Sequence, residues 1–224
     1  MSEVDKTEIK NQKAVWRKYI GILLLVLGIV ILLFTFQPII SAYLDFYFAP
    51  TPKEDQVKVE IVTADEEITK EVKQDTQVVF VDNNFGLYIP KIKANAEVIK
   101  NVDPFNQEAY TQALISGVAH AKGSSLPSED GNVFLFAHSA VNFYERRKYN
   151  VYFYLLNELR KDDPIYVSYQ NVIYKYKVLE VTIVNPDEVK YLGRYMEEDT
   201  LTLMTCWPAG ANIKRTIVTA IRDI

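Results

Sequence analysis

This chain of 224 residues contains very little cysteine and has no excess of positive charge. The single cysteine, Cys206, excludes an intramolecular disulfide, because a disulfide needs two thiols. The 25 Lys and Arg residues are outnumbered by 29 Asp and Glu residues. Since a nucleic-acid-binding surface needs a concentrated basic face, this balance argues against nucleic acid as a partner. Histidine is also scarce, and His120 and His138 are its two positions.

Charge of either sign is absent from a long stretch near the N-terminus, residues 19–44. A membrane-spanning helix needs about 20 apolar residues, because the hydrocarbon core is about 30 Å thick and a helix rises about 1.5 Å per residue. The stretch meets this length, is longer than the apolar part of a signal peptide, and is followed by no clear small-residue cleavage site. It therefore predicts an uncleaved signal anchor.

Positive charge is concentrated on one side of this stretch. Residues 1–18 contain five Lys and Arg residues, whereas the other side begins with Asp45. Because cytoplasmic flanks carry the excess of Lys and Arg, we expect a single-pass protein of the cell membrane with its N-terminus in the cytoplasm. The predicted parts are a cytoplasmic tail (1–18), a transmembrane anchor (19–44), a polar stalk (45–76) and an extracellular domain (77–224).

Short apolar runs separated by turn residues dominate the predicted extracellular domain. Tyrosine, phenylalanine and β-branched residues are frequent in them, and these residues favour strands. The strand candidates are residues 78–81, 87–92, 97–99, the run after Gly131 that ends at His138, 165–169, 172–184, 200–205 and 215–222. Helical spacing is confined to residues 108–116 and 142–159, and a tight turn is expected at Gln170 and Asn171. Many short strands with few helices predict a mainly β fold, a closed or nearly closed barrel.

Three residues that carry acyl-transfer chemistry lie at the ends of such runs. His138 follows Phe134–Ala137, Cys206 follows Thr202–Thr205, and Arg215 begins the last run. A thiol attacks an amide as the thiolate, which nearby positive charge favours. An imidazole can act as general acid, and a guanidinium suits a developing oxyanion. Together they have the composition of a cysteine acyl-transfer site.

These motifs resemble those of the sortase family, the membrane-anchored cysteine transpeptidases of bacterial cell surfaces. They include the family's T-L-x-T-C signature, its Pro/Gly loop leading to an arginine, and the region around its catalytic histidine. The matching stretches are Gly117–His120, Pro127, Gly131–Ser139, Thr202–Cys206, and Trp207–Gly210 with Arg215. The resemblance covers roughly residue 86 to the C-terminus, and the loop after Cys206 looks closer to the class D and E enzymes.

The resemblance implies a sortase-type closed β-barrel of about eight strands with short helices, preceded by one transmembrane helix. It implies that Cys206 is the nucleophile, that His138 is the general acid and base, and that Arg215 binds the oxyanion or the substrate backbone. Thr205 and His120 are expected to contribute to substrate binding. Thr205 also has the simpler reading of an ordinary strand residue, and His120 that of a structural residue.

Partners follow from the same resemblance. The resemblance implies that Cys206 attacks the carbonyl after the threonine of an LPxTG-like sorting signal at the C-terminus of a surface protein. The thioacyl-enzyme is then resolved by an amine, from a cell-wall precursor or a pilin lysine. Trp207, beside the nucleophile, is expected either to line the substrate groove or to pack. No metal and no cofactor are expected, since the acidic residues show no clear ligand spacing.

Two other functions remain open at this point. A membrane-anchored cysteine peptidase, in which water resolves the acyl-enzyme, would use the same Cys206, His138 and Arg215. A non-catalytic β-module tethered to the surface would keep Cys206 as a small packing residue, which is the commoner use of a lone cysteine.

Overall fold

A computed structural model describes residues 3–48, 57–59, 76–139, 152–193 and 199–223. The chain forms two compact units, residues 1–49 and 50–224. In the first unit, helix α1 covers Glu3–Phe48. Its segment Trp16–Thr35 has a mean hydropathy of 2.5 and exposes its side chains on every side. By length and composition this helix can cross a membrane, so the predicted N-terminal apolar helix is confirmed.

The second unit is built from strands. The strands are β1 (Val57–Val59), β2 (Thr76–Val78), β3 (Phe85–Ile89), β4 (Ala94–Val102), β5 (Val118–Ala121), β6 (Asn132–Phe136), β7 (Pro164–Tyr169), β8 (Val172–Val184), β9 (Thr200–Trp207) and β10 (Lys214–Arg222). Helix α2 covers Gln107–Ser116, and short 3₁₀ segments cover Pro90–Ile92, Leu156–Glu158 and Val189–Leu192. β1 and β2 pair in parallel as a separate two-stranded sheet.

Strands β3 to β10 close into a barrel in the order β10-β8-β7-β3-β4-β5-β6-β9. Closure comes from the antiparallel pair β9–β10, and β6 reaches β9 by a parallel pairing. Side chains such as Leu87, Phe134, Leu203 and Val218 fill the interior and are fully buried. The predicted closed, mainly β barrel of eight strands with short helices is confirmed. This closure brings the ends of β6 and β9 and the start of β10 side by side.

Some predicted strands and helices have bounds close to those observed, and local interactions explain why. The strand 172–184 is observed with the predicted bounds, and the turn before it places Gln170 and Asn171 at φ 50° and 62°. Such positive φ values suit a two-residue hairpin turn. Helix α2 begins one residue earlier than predicted, where the Asn106 side chain accepts a hydrogen bond from the Ala109 N–H. An asparagine in that position caps the free N–H groups of a first helical turn.

Other predicted elements are corrected by the structure. The run 78–81 is a strand only as far as Val78, because Asn95 binds the Val79 carbonyl and the Val81 N–H through its side chain. The run 87–92 ends as a strand at Ile89, since Pro90 has no N–H and begins a 3₁₀ turn. Of the predicted helix 142–159, residues up to 151 lie outside the described residues.

From residue 152 to 159 that helix prediction is wrong, because the chain forms turns and the short 3₁₀ segment. Phe153, Leu156 and Leu159 are fully buried there. Their spacing reflects burial against the barrel, and turns satisfy it as well as a helix does.

Candidate active site

The register of three neighbouring strands brings together the three candidate catalytic residues. Phe136 of β6 pairs with Met204 of β9, the last pair of that ladder, and His138 and Cys206 each follow two residues later in the chain. On the other side of β9, Cys206 pairs directly with Arg215 of β10. Neighbouring strands lie about 4.8 Å apart, and level residues point to the same face. Cys206 is therefore flanked by an imidazole and by a guanidinium.

A cavity of about 500 Å³ opens at this point. Its lining residues are Pro104, Gln107, Tyr110, Thr111, Leu114, Phe136, Ala137, His138, Ser139, Met204, Thr205, Cys206, Gly210, Ala211, Asn212 and Arg215. His138, Cys206 and Arg215 are each half-buried, so their functional groups can meet a ligand while staying fixed at the barrel's end. The candidate catalytic residues therefore share one ligand-sized space.

Hydrogen bonds hold the end of β6 against the end of β9. The Ala137 N–H donates to the Met204 carbonyl at 3.2 Å, and the Thr205 hydroxyl donates to the Ala137 carbonyl at 2.8 Å. Ala137 precedes His138 and Thr205 precedes Cys206, so this pair of bonds ties together the chain segments that carry the imidazole and the thiol. Thr205 is buried at this position, although it also contributes to the cavity wall.

The loop between β9 and β10 brings a second side chain to the sulfur. The pair Trp207–Lys214 closes this loop, and a turn within it has the Ala211 N–H donating to the Pro208 carbonyl at 2.8 Å. Gly210 takes φ 81° there, a conformation that side-chain-bearing residues rarely adopt. Asn212 then lies over Cys206, and the thiol donates to its Oδ1 at 3.5 Å.

Arg215 is held near the cavity by its own backbone. Its Nη1 donates to the Lys214 carbonyl at 3.0 Å. Within the described ranges of the chain no carboxylate forms an ion pair with Arg215. A guanidinium always carries its charge and has several N–H donors. It is therefore available to an anionic group in the cavity.

His120 is not part of the cavity lining. It is 1% exposed, and its Nδ1 accepts a hydrogen bond from the Asn101 N–H at 3.3 Å. Its Nε2 lies 3.0 Å from the Ser125 carbonyl and 2.9 Å from the Ser124 hydroxyl. Burial lowers the pKa of His120, against a smaller opposing effect of the Ser125 carbonyl. The structure thus places His120 inside the barrel wall, in agreement with the structural one of its two readings.

Trp207 likewise stays outside the cavity lining, half-exposed at the end of β9. Among the expected substrate-binding residues, only Thr205 reaches the cavity.

Sequence reasoning missed Gln107, Tyr110 and Thr111 of helix α2, which also line the cavity. From the sequence, Tyr110 lies at helical spacing with Ala113 and Leu114, and such spacing is typical of a face that packs on a core. In the part of the chain that the structure describes, no group of three His, Cys, Asp or Glu residues can hold a metal ion.

Comparison with known proteins identifies the family of this chain. The family model of the sortase domain matches residues 87–223, more than half of the chain. The chain belongs to the sortase family. The enzymes of this family are cysteine transpeptidases, and the match covers all of the strands that carry the candidate site.

Individual sortases are similar over part of the chain. Sortase D of Bacillus subtilis (strain 168) is 29% identical over 122 residues, which cover 54% of this chain and 53% of that sortase. The chain therefore matches about half the length of this curated relative. Sortase C-1 from Actinomyces oris (formerly Actinomyces naeslundii) has 30% identity and a TM-score of 0.54, covering 64% of this chain and 76% of that one. Sortase A from Corynebacterium diphtheriae has 28% identity and a TM-score of 0.53, covering 63% and 60%.

Proposed function

We propose that this chain is a sortase transpeptidase that cleaves an LPxTG-like sorting signal and transfers the protein bearing it to an amine. The observation that supports this proposal is that His138, just past the end of β6, lines the same cavity as the paired residues Cys206 of β9 and Arg215 of β10. A thiol between an imidazole and a guanidinium has what acyl transfer requires: a nucleophile, a proton carrier and a fixed positive charge.

Each residue has one task in the proposed reaction. The Cys206 thiol gives its proton to His138, and the sulfur forms a bond to the carbonyl carbon of the scissile amide. The carbonyl oxygen becomes an oxyanion, which Arg215 binds. His138 then protonates the leaving amine as the carbon–nitrogen bond breaks. A thioacyl-enzyme remains, the acceptor amine attacks it, and the released proton returns through His138 to the sulfur.

The partners proposed are surface proteins with C-terminal sorting signals and an amine acceptor, either a cell-wall precursor or a pilin lysine. The apolar helix α1 supports an anchored enzyme. The five basic residues in 1–18 favour a cytoplasmic N-terminus and an extracellular barrel. The likeness to sortase D favours class D, although the solved structures quoted above belong to classes A and C. The proposed chemistry uses side chains alone and needs no cofactor.

The test is a covalent-adduct assay on the full chain in detergent. The enzyme is incubated with LPxTG-like peptides that vary at each position, with and without an amine acceptor, and intact masses are recorded. An acyl adduct on the single cysteine that becomes a ligated product on adding amine is the expected result. Cys206→Ala is the matched control, since it removes the sulfur and little else.

Two outcomes would contradict the proposal. An adduct that yields only hydrolysed peptide with every amine tested would indicate a cysteine peptidase. No adduct with any peptide, from protein that unfolds cooperatively on heating, would favour the non-catalytic surface module. Both alternatives are therefore separated by one set of spectra.

A further inference from the structure

Asn212 is the side chain that hydrogen-bonds to the sulfur of Cys206, and its position is built into the β9–β10 hairpin. The strands stay paired up to Trp207 and Lys214, one residue beyond the pair formed by Cys206 and Arg215. The loop is therefore anchored directly beside the thiol. Its internal turn at Pro208–Ala211 directs the next residue, Asn212, back over the cavity.

The hydrogen bond runs from the thiol to the amide. The Cys206 sulfur donates to Oδ1 of Asn212 across 3.5 Å, so the amide oxygen interacts with the protonated sulfur. A thiolate has no proton to donate, and its charge is repelled by an amide oxygen at the same distance. A hydrogen bond to the neutral form of an acid disfavours its ionisation. The contact therefore works against the species that attacks an amide.

Asn212 itself is free to change this contact. Its side chain is exposed, and among the described residues its Nδ2 donates to no partner. An exposed side chain changes rotamer within nanoseconds. Turning the amide over would place N–H instead of oxygen against the sulfur. Asparagine offers both an acceptor and a donor at one end, which neither alanine nor aspartate does.

We propose that Asn212 restrains the Cys206 thiol in the empty cavity: its amide oxygen holds the sulfur's proton until a sorting signal displaces the contact. The inference deepens the proposed function and rests on Cys206 being its nucleophile. When the sorting signal displaces the contact between Asn212 and the sulfur, the thiol proton passes to His138 and the sulfur bonds to the substrate carbonyl, as in the proposed reaction. The restraint keeps the half-buried Cys206 thiol slow to react with other electrophiles.

The experiment measures alkylation of the only cysteine by iodoacetamide, using the full chain in detergent and no peptide substrate. Rates are taken from about pH 6 to about pH 10, a range that spans thiol ionisation. For Asn212→Ala we expect alkylation about threefold to tenfold faster than wild type at neutral pH. For Asn212→Asp we expect slower alkylation, because a carboxylate opposes thiolate formation. Asn84→Ala, an exposed asparagine outside the cavity lining, is the matched control.

The pH profile distinguishes two ways in which Asn212 could slow alkylation: by keeping the thiol protonated, or by shielding the sulfur from the reagent. If Asn212 holds the proton, the rates of wild type and Asn212→Ala converge at high pH, where every thiol is ionised. A rate for Asn212→Ala equal to that of wild type at all pH values would overturn the inference. So would an increase by the same factor at every pH, which would mean that Asn212 only shields the sulfur. Because no peptide is used, these outcomes are independent of whether the chain proves to be a transpeptidase.

Discussion

The two histidines of this chain are carried by adjacent strands, one within β5 and one just past the end of β6, yet they differ in burial and in what surrounds them. His120 is in β5, buried, with both ring nitrogens hydrogen-bonded to neighbours of the barrel wall. His138 lies past the end of β6, half-buried, and faces a cavity that also contains the thiol and the guanidinium. A histidine whose hydrogen bonds are all satisfied inside the wall stabilises the fold, whereas one at an open cavity beside a nucleophile can move protons.

Replacing His138 should have the largest effect on turnover. His138→Ala removes the group that takes the proton from the thiol and returns it to the leaving amine. We expect kcat/KM for the sorting peptide to fall by about 10²–10⁴, with Tm within a few degrees of wild type. Steady-state kinetics and thermal unfolding of the same preparation check this. A variant that keeps half of its activity would mean that another group carries the proton.

Replacing Arg215 should have the next largest effect on turnover. Two substitutions there distinguish the role of its positive charge from the role of its planar set of donors. Arg215→Ala removes the proposed oxyanion donor, for which we expect a loss of about 10²–10³ in kcat. Arg215→Lys keeps the positive charge but loses the planar fork of donors, so it should recover only a small part of that loss. Because Arg215 has no ion-pair partner in the described chain, both variants should unfold near the wild-type Tm. Equal activity of the lysine variant and the wild type would show that charge alone is enough.

His120 should show the reverse pattern, with stability affected more than chemistry. His120→Ala leaves the carbonyl of buried Ser125 without its imidazole partner, removes the acceptor of the Asn101 N–H, and opens a cavity beside Phe85. Each buried unsatisfied group costs about 1–3 kcal/mol, so we expect Tm to fall by about 5–15 °C. Alkylation of Cys206 at a temperature where the variant is folded should stay within about twofold of wild type. A much slower alkylation with normal stability would instead connect His120 to the site.

Much of this architecture could be predicted from particular residues. The apolar runs ending at His138 and Cys206, and the one beginning at Arg215, predicted three strand ends, and barrel closure explains why they meet. The helix prediction failed over residues 152–159 because burial every three or four residues does not require a helix. For His120 two readings stayed open, because a motif position does not reveal whether a side chain faces the cavity or the wall. The contact of Asn212 with the sulfur could not be predicted from the sequence, because it depends on a loop conformation.

The smallest expected effect is on the pH dependence of stability. Burial lowers the pKa of His120 in the folded chain, whereas in the unfolded chain it titrates near the usual value of about 6.5. As pH falls below about 6.5 the unfolded state gains a proton that the folded state does not, so stability is lost on the acid side by at most about 1.4 kcal/mol per pH unit. Above that pH both states are neutral at His120 and its contribution is constant. His120→Gln cannot titrate, so its Tm should fall less than that of wild type between about pH 7.5 and about pH 5.5. Parallel Tm curves for the two proteins over this range would mean that His120 gains its proton equally in both states, contrary to its hydrogen bond with the Asn101 N–H.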